Sequence, residues 1–98
     1  MFKMSQVILE NANNWHLSGE LSFTTVGGLL TELTSKITDS KELIIDLGKV
    51  TYTDSAGLAL LIELLRSNTS ITFCNIPTRI LNLSAVAGVK DLLTNKGF

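Results

Sequence analysis

Cysteine, proline and histidine each occur once in the 98 residues, as Cys74, Pro77 and His16. A lone cysteine excludes an internal disulfide and accords with a reducing compartment, so the expected location is cytoplasmic. One histidine with no cysteine or acidic cluster close by is a poor metal ligand and a poor general base, and Cys74 in Thr72-Phe73-Cys74 reads as a small core residue. No metal and no cofactor are expected. Charge is scarce as well: charged residues make up 17% of the chain, the formal net charge is -1, and like charges never run together. That excludes a phosphate-neutralising face for nucleic acid and a solvated charged tail. Long apolar runs are missing too. The most apolar stretch, Ala56 to Ile62, stops at Glu63, far short of the roughly 20 residues that span a bilayer. The start, MFKMSQVILENANNW, has no apolar core or small-residue cleavage site of a leader. A soluble protein with no direct membrane insertion is expected. Paired carboxylates, metal-ligand spacing and a nucleophile elbow are absent, and Gly27-Gly28 lacks the spacing and the lysine of a phosphate loop. The chain does not read as an enzyme.

What is present is apolar patterning: 45% of the residues are hydrophobic, enough for one core, and residues 1–98 read as a single domain. Val7-Ile8-Leu9 marks a strand over Ser5 to Leu9, ended by the turn-rich Glu10-Asn11-Ala12-Asn13-Asn14, and Trp15 to Leu21 a second strand in a hairpin with it. Phe23, Val26, Leu29, Leu30, Leu33 and Ile37 fall at helical spacing, with Gly27 and Gly28 weakening the first turn by roughly 1 kcal/mol each. Leu43 to Leu47 reads as a buried strand, followed by a loop. Asp54 and Ser55 then offer cap chemistry for a helix from about Ala56 to Ser67. Ile71 to Asn75 is a fourth strand, Thr78 to Ala87 a helix started by Pro77 and stopped by Gly88, and Val89 to Leu93 a terminal turn or helix. The order β-β-α-β-α-β-α predicts an α/β fold: a mixed sheet, parallel where helices cross over, with helices packed on it.

The informative stretch runs from Val50 to Leu61. A helix starting among small polar residues exposes unpaired N–H groups, which suit a side-chain cap, an anion or a docking partner. At 100° per residue, Ser55, Ala59, Ile62 and Arg66 lie within about 60° of one another, while Gly57, Leu58, Leu61, Leu64 and Leu65 occupy the side that would meet the sheet. The outer stripe predicts a docking face on which small residues allow close approach and Ile62 and Arg66 act as anchors.

Asp54-Ser55-Ala56-Gly57-Leu58-Ala59-Leu60-Leu61, preceded by a strand ending Ile44-Ile45-Asp46-Leu47, resembles the signature loop and second helix of the STAS family. That family is named for sulfate transporters and anti-sigma-factor antagonists. Leu17-Ser18-Gly19-Glu20-Leu21 resembles its second strand, and Ile80, Leu83, Gly88 and Leu92-Leu93 its last helix and tail. The resemblance implies a non-enzymatic module that binds a partner through Thr53, Asp54, Ser55, Ala56 and Gly57 together with the outer stripe. Sporulation-type antagonists are phosphorylated on a serine immediately before the motif glycine. Here that residue is Ala56, which has no hydroxyl. The sequence is more similar to the small STAS subunit of the Mla-type lipid-asymmetry ABC transporter, which binds the cytoplasmic ATPase subunit at the inner face of the inner membrane. That resemblance implies an ATPase partner, and the alternative is an anti-sigma factor or kinase bound by an unswitched antagonist.

Overall fold

The computed structural model describes residues 5–37, 42–67 and 70–94; the ends of the domain expected over 1–98, and part of the stretch read for a leader, lie outside them. The elements are β1 (Ser5–Asn11), β2 (Asn14–Leu21), α1 (Val26–Lys36), β3 (Leu43–Thr53), α2 (Ser55–Ser67), β4 (Ile71–Cys74), α3 (Thr78–Val86) and a short α4 (Lys90–Thr94). The sheet has the strand order β1-β2-β3-β4. Its first pair is an antiparallel hairpin, and β2/β3 and β3/β4 are parallel. The expected mixed α/β sheet is therefore what forms, with the helical crossovers that parallel neighbours require.

Strand alternation decides which face is covered. Trp15, Leu17 and Leu21 of β2, Leu43, Ile45 and Leu47 of β3, and Ile71 and Phe73 of β4 are buried. They form one core with Leu29 and Leu33 of α1, Leu58, Leu60, Leu61 and Leu64 of α2, Ile80 of α3 and Leu93 of α4. Most alternate residues stay at the surface, Glu20 of β2 being a buried exception, so the run Leu43 to Leu47 is buried on one side only and Ile44 is 41% exposed. On this open side the register brings Ile8, His16, Asp46 and Cys74 into one row across all four strands.

Two elements differ from their sequence reading. β3 does not end at Leu47 but continues to Thr53, paired with β2 as far as Leu21↔Thr53. The pairing shifts register between His16 and Ser18 and again between Gly19 and Glu20, and each shift breaks the period-two pattern by which a strand is recognised. Helix α1 starts at Val26, not Phe23. The Ser22 N–H donates to Thr25 Oγ1 at 2.9 Å and the Thr25 and Val26 N–H groups donate to the Ser22 carbonyl at 2.9 and 3.0 Å, a local hydroxyl turn that competes with the helix. Phe23 is thereby left outside, 85% exposed. The stop at Gly88 is as expected: with φ +76° it allows the Gly88 N–H to reach the Ala85 carbonyl and the Val89 N–H the Ser84 carbonyl, a Schellman closure.

Asp46 ties the open face together. Its Oδ1 accepts from the Asn75 side-chain amide at 3.0 Å and from the Gly48 N–H at 2.7 Å. These two bonds, in that order, hold its carboxyl below the ordinary aspartate range, with a smaller pull from His16. Among the described residues no helix is long and apolar enough to cross a membrane.

Two outcomes follow. Leu61 is fully buried, so Leu61→Glu places a carboxylate in the core at a cost of several kcal/mol; circular dichroism should find the variant unfolded or its melting temperature greatly reduced. A carboxyl held low in the folded state contributes stability above its unfolded pKa of about 3.9, and loses it as pH falls through the folded value. The stability gap between the native chain and Asp46→Asn, measured by urea unfolding, should therefore be full at neutral pH and shrink below about pH 4.

Candidate functional site

Asp54 stands between the end of β3 and the start of α2 and uses every polar group it has. Its Oδ1 accepts from the Ala56 N–H at 2.8 Å, and its carbonyl accepts from the Gly57 N–H at 3.0 Å. This is an N-cap in which the side chain satisfies a donor of the first helical turn. Its Oδ2 accepts from the Phe23 N–H at 3.3 Å, and its own N–H donates to the Leu21 carbonyl at 3.2 Å. One carboxylate thus caps α2 and fastens the loop between β2 and α1 beside it.

Gly57 lets the helix sit down. A Cβ at this position would overlap Thr53 Oγ1 and press on Leu21, whose Cβ would lie 3.2 Å away and whose carbonyl 3.3 Å away. Thr53 is itself buried, and its hydroxyl donates to the Asp54 carbonyl at 3.0 Å. Thr53 and Gly57, expected at the contact surface, are interior residues: they seat α2 and present no side chain outward.

The surface that results is a groove of about 550 Å³ between α1 and α2, walled by Phe23, Val26, Gly27 and Leu30 on one side and by Ser55, Ala56, Ala59 and Glu63 on the other, with Leu60 below. Ser55, Ala56 and Ala59 are thus brought together. Ile62 and Arg66 are not part of it. Ile62 is half-buried against the core, and Arg66 is exposed, 3.5 Å from Glu63 on the same helix, a pair worth little at a surface. The α2 residues facing the groove are Ser55, Ala56, Ala59, Leu60 and Glu63, so the stripe read by projection shares Ser55 and Ala59 with it. Sequence reasoning missed Phe23, because it matched the helical spacing. The Ser22-Phe23-Thr24-Thr25 run of hydroxyl residues was the available signal that the chain turns there.

Other reactive groups lie elsewhere. His16 Nε2 is 2.7 Å from Glu10 Oε1, and His16 Nδ1 is 3.7 Å from Asp46 Oδ2, all on the open side of the sheet. Burial, then Asp46, push the Cys74 thiol up from its ordinary value, which disfavours the nucleophilic thiolate. Among the described residues no three metal-ligating side chains are grouped so as to hold an ion.

Asp54→Ala should destabilise the fold by about 1–2 kcal/mol through loss of the cap. Gly57→Ala gains roughly 1 kcal/mol of helix propensity but incurs about 1–3 kcal/mol of overpacking, so a net loss is expected. Denaturant unfolding of both variants checks the two figures; a stabilised Gly57→Ala would contradict the close approach.

The fold has known relatives. The solved structure of the anti-sigma factor antagonist SpoIIAA in its unphosphorylated form is similar in fold, with a TM-score of 0.65, 13% identity, and coverage of 93% of this chain and 86% of that one. No curated protein matches the sequence. A family model described as Mlab, STAS domain matches residues 5–94, nearly the whole chain, and the chain belongs to that STAS family.

Proposed function

We propose that this chain is a protein-docking module whose partner seats in the groove between α1 and α2, and that the partner is the cytoplasmic ATPase subunit of an ABC-type phospholipid transporter. The observation that carries the docking reading is Phe23. A phenylalanine 85% exposed, held in place by a backbone hydrogen bond to Asp54, borders a concave apolar surface that offers Ser55, Ala56 and Ala59. An aromatic beside small residues is the arrangement of an anchor with room for a close neighbour.

Gly27 points the same way. It lies in the first turn of α1, and a Cβ there would meet nothing within 4 Å. Glycine therefore lowers helix stability by roughly 1 kcal/mol with no gain inside this chain. A partner's backbone passing close to the groove wall supplies the missing reason.

The choice of an ATPase partner rests on the family description and on Ala56. Where sporulation-type antagonists carry the regulatory serine, Ala56 has a methyl in place of the hydroxymethyl group, and that methyl lies in the groove. The module then works by shape alone, holding its partner in a competent arrangement without a phosphorylation switch. It carries out no chemistry of its own and needs no cofactor.

Titration calorimetry of the purified chain against the ATPase subunit and, separately, against an anti-sigma-factor kinase should give heat with the first. Binding to the kinase alone would overturn the choice of partner. Ala59→Glu, Ser55→Tyr and Phe23→Ser should each weaken binding at least about tenfold, about 1.4 kcal/mol or more, with melting temperature unchanged. Gly27→Ala should raise the melting temperature and still weaken binding. Folded variants that bind normally would remove the groove from the interface.

A further inference from the structure

Strand β1 forms one edge of the sheet, and its composition is unusual for an edge. Strands left unpaired on one side are commonly guarded by lysine, proline or inward charges. Over Ser5–Asn11 the sequence is Ser-Gln-Val-Ile-Leu-Glu-Asn, with no lysine and no proline. Ile8 is 37% and Leu9 52% exposed. Because neighbouring side chains on a strand alternate, these two present aliphatic surface on opposite faces of the sheet.

The order of residues in β1 is also self-complementary. Laid antiparallel on itself about Ile8, Ile8 faces Ile8, Val7 faces Leu9 and Gln6 faces Glu10. Aliphatic meets aliphatic, polar meets polar, and the one charged side chain meets an amide rather than its own copy. Shifting the pairing by one residue in either direction breaks this match: centred on Val7 it sets Gln6 against Ile8, and centred on Leu9 it sets Ile8 against Glu10. A two-fold axis demands that one patch suit itself, and this strand meets that demand in one register.

We infer that two copies of this chain associate edge to edge through β1, antiparallel about Ile8, to form a continuous eight-stranded sheet. On the helix-covered side Val7 and Leu9 of each copy interlock, and on the open side the two Ile8 side chains meet. The register shift in β1 between Leu9 and Asn11 interrupts the regular strand beyond Glu10, so the shared ladder is short. The association is weak and reversible, below the size of a permanent interface. It is independent of the groove between α1 and α2.

Sedimentation equilibrium of the full chain should give a concentration-dependent monomer–dimer equilibrium. Ile8→Lys, which sets two ammonium groups face to face on an exposed position, should leave monomer with an unchanged circular dichroism spectrum. Gln6 tests the register: Gln6→Lys places a cation opposite Glu10 of the other copy twice and should tighten the dimer by about threefold or more, while Gln6→Glu should loosen it by a similar factor. If Ile8→Lys fails to fold, the opposed responses of the two Gln6 variants still decide the matter. A chain that stays monomeric up to its solubility limit overturns the inference. So does a dimer that Ile8→Lys leaves intact, that Phe23→Ser dissolves, or that responds alike to both Gln6 changes.

Discussion

The groove between α1 and α2 turns on one carboxylate. Asp54 spends Oδ1 on the first turn of α2 and Oδ2 on the backbone of the loop that carries Phe23. The two walls of the groove come from segments 31 residues apart in sequence, and this side chain is their shared fastening. A hydroxyl cap such as serine could satisfy the helix, but it has a single oxygen and a shorter reach. A carboxylate has two acceptor oxygens pointing apart, which is what a cap that must also hold a second strand of backbone requires. The same residue is thus a local stop-and-start signal for secondary structure and the tertiary link on which the groove depends.

Beneath it, Gly57 and Thr53 set how deeply α2 lies on the sheet. The depth matters because α2 contributes both core and surface. Leu58, Leu61 and Leu64 are buried against the strands, whereas Ala56, Ala59 and Glu63 look toward α1. Raising the helix by the thickness of a methyl group would loosen the core beneath it. The motif read from the sequence as a partner-binding string therefore divides into two roles. Some of its residues hold the helix down, and others, Ser55, Ala56 and Ala59, are what a partner would meet.

Much of this was legible in the residues themselves. The hairpin, the strand–helix alternation, the cap at Asp54 and the stop at Gly88 each follow from local chemistry, and local chemistry is what a sequence displays most directly. The far half of β3 was hidden because its two register shifts with β2 remove alternation where a strand is paired but irregular. Phe23 was misplaced because a helix and the hydroxyl turn before it share the same spacing of apolar residues. Projection put Ser55, Ala59 and Arg66 on an exposed side of α2, where they are, but it fixes which residues share a face, not how far neighbouring elements climb around the helix. Ile62 is half-buried for that reason. The misses at β3 and at Ile62 concern contacts between elements, which no window along one chain contains, whereas the turn at Phe23 is local.

The two walls of the groove also differ in stiffness. The α2 wall begins at a fully engaged cap and is anchored by leucines inside the core. The α1 wall begins at Thr25, which gives its helix no side-chain cap bond, and its first turn holds Gly27 and Gly28 with open space where side chains would be. Glycine leaves the backbone more states to lose on ordering, so the first turn of this wall is the less firmly held of the two. The cleft is a vice with one fixed and one sprung jaw. Under the docking proposal, a partner would be positioned by the first and accommodated by the second, and part of the entropy lost on ordering would fall on α1.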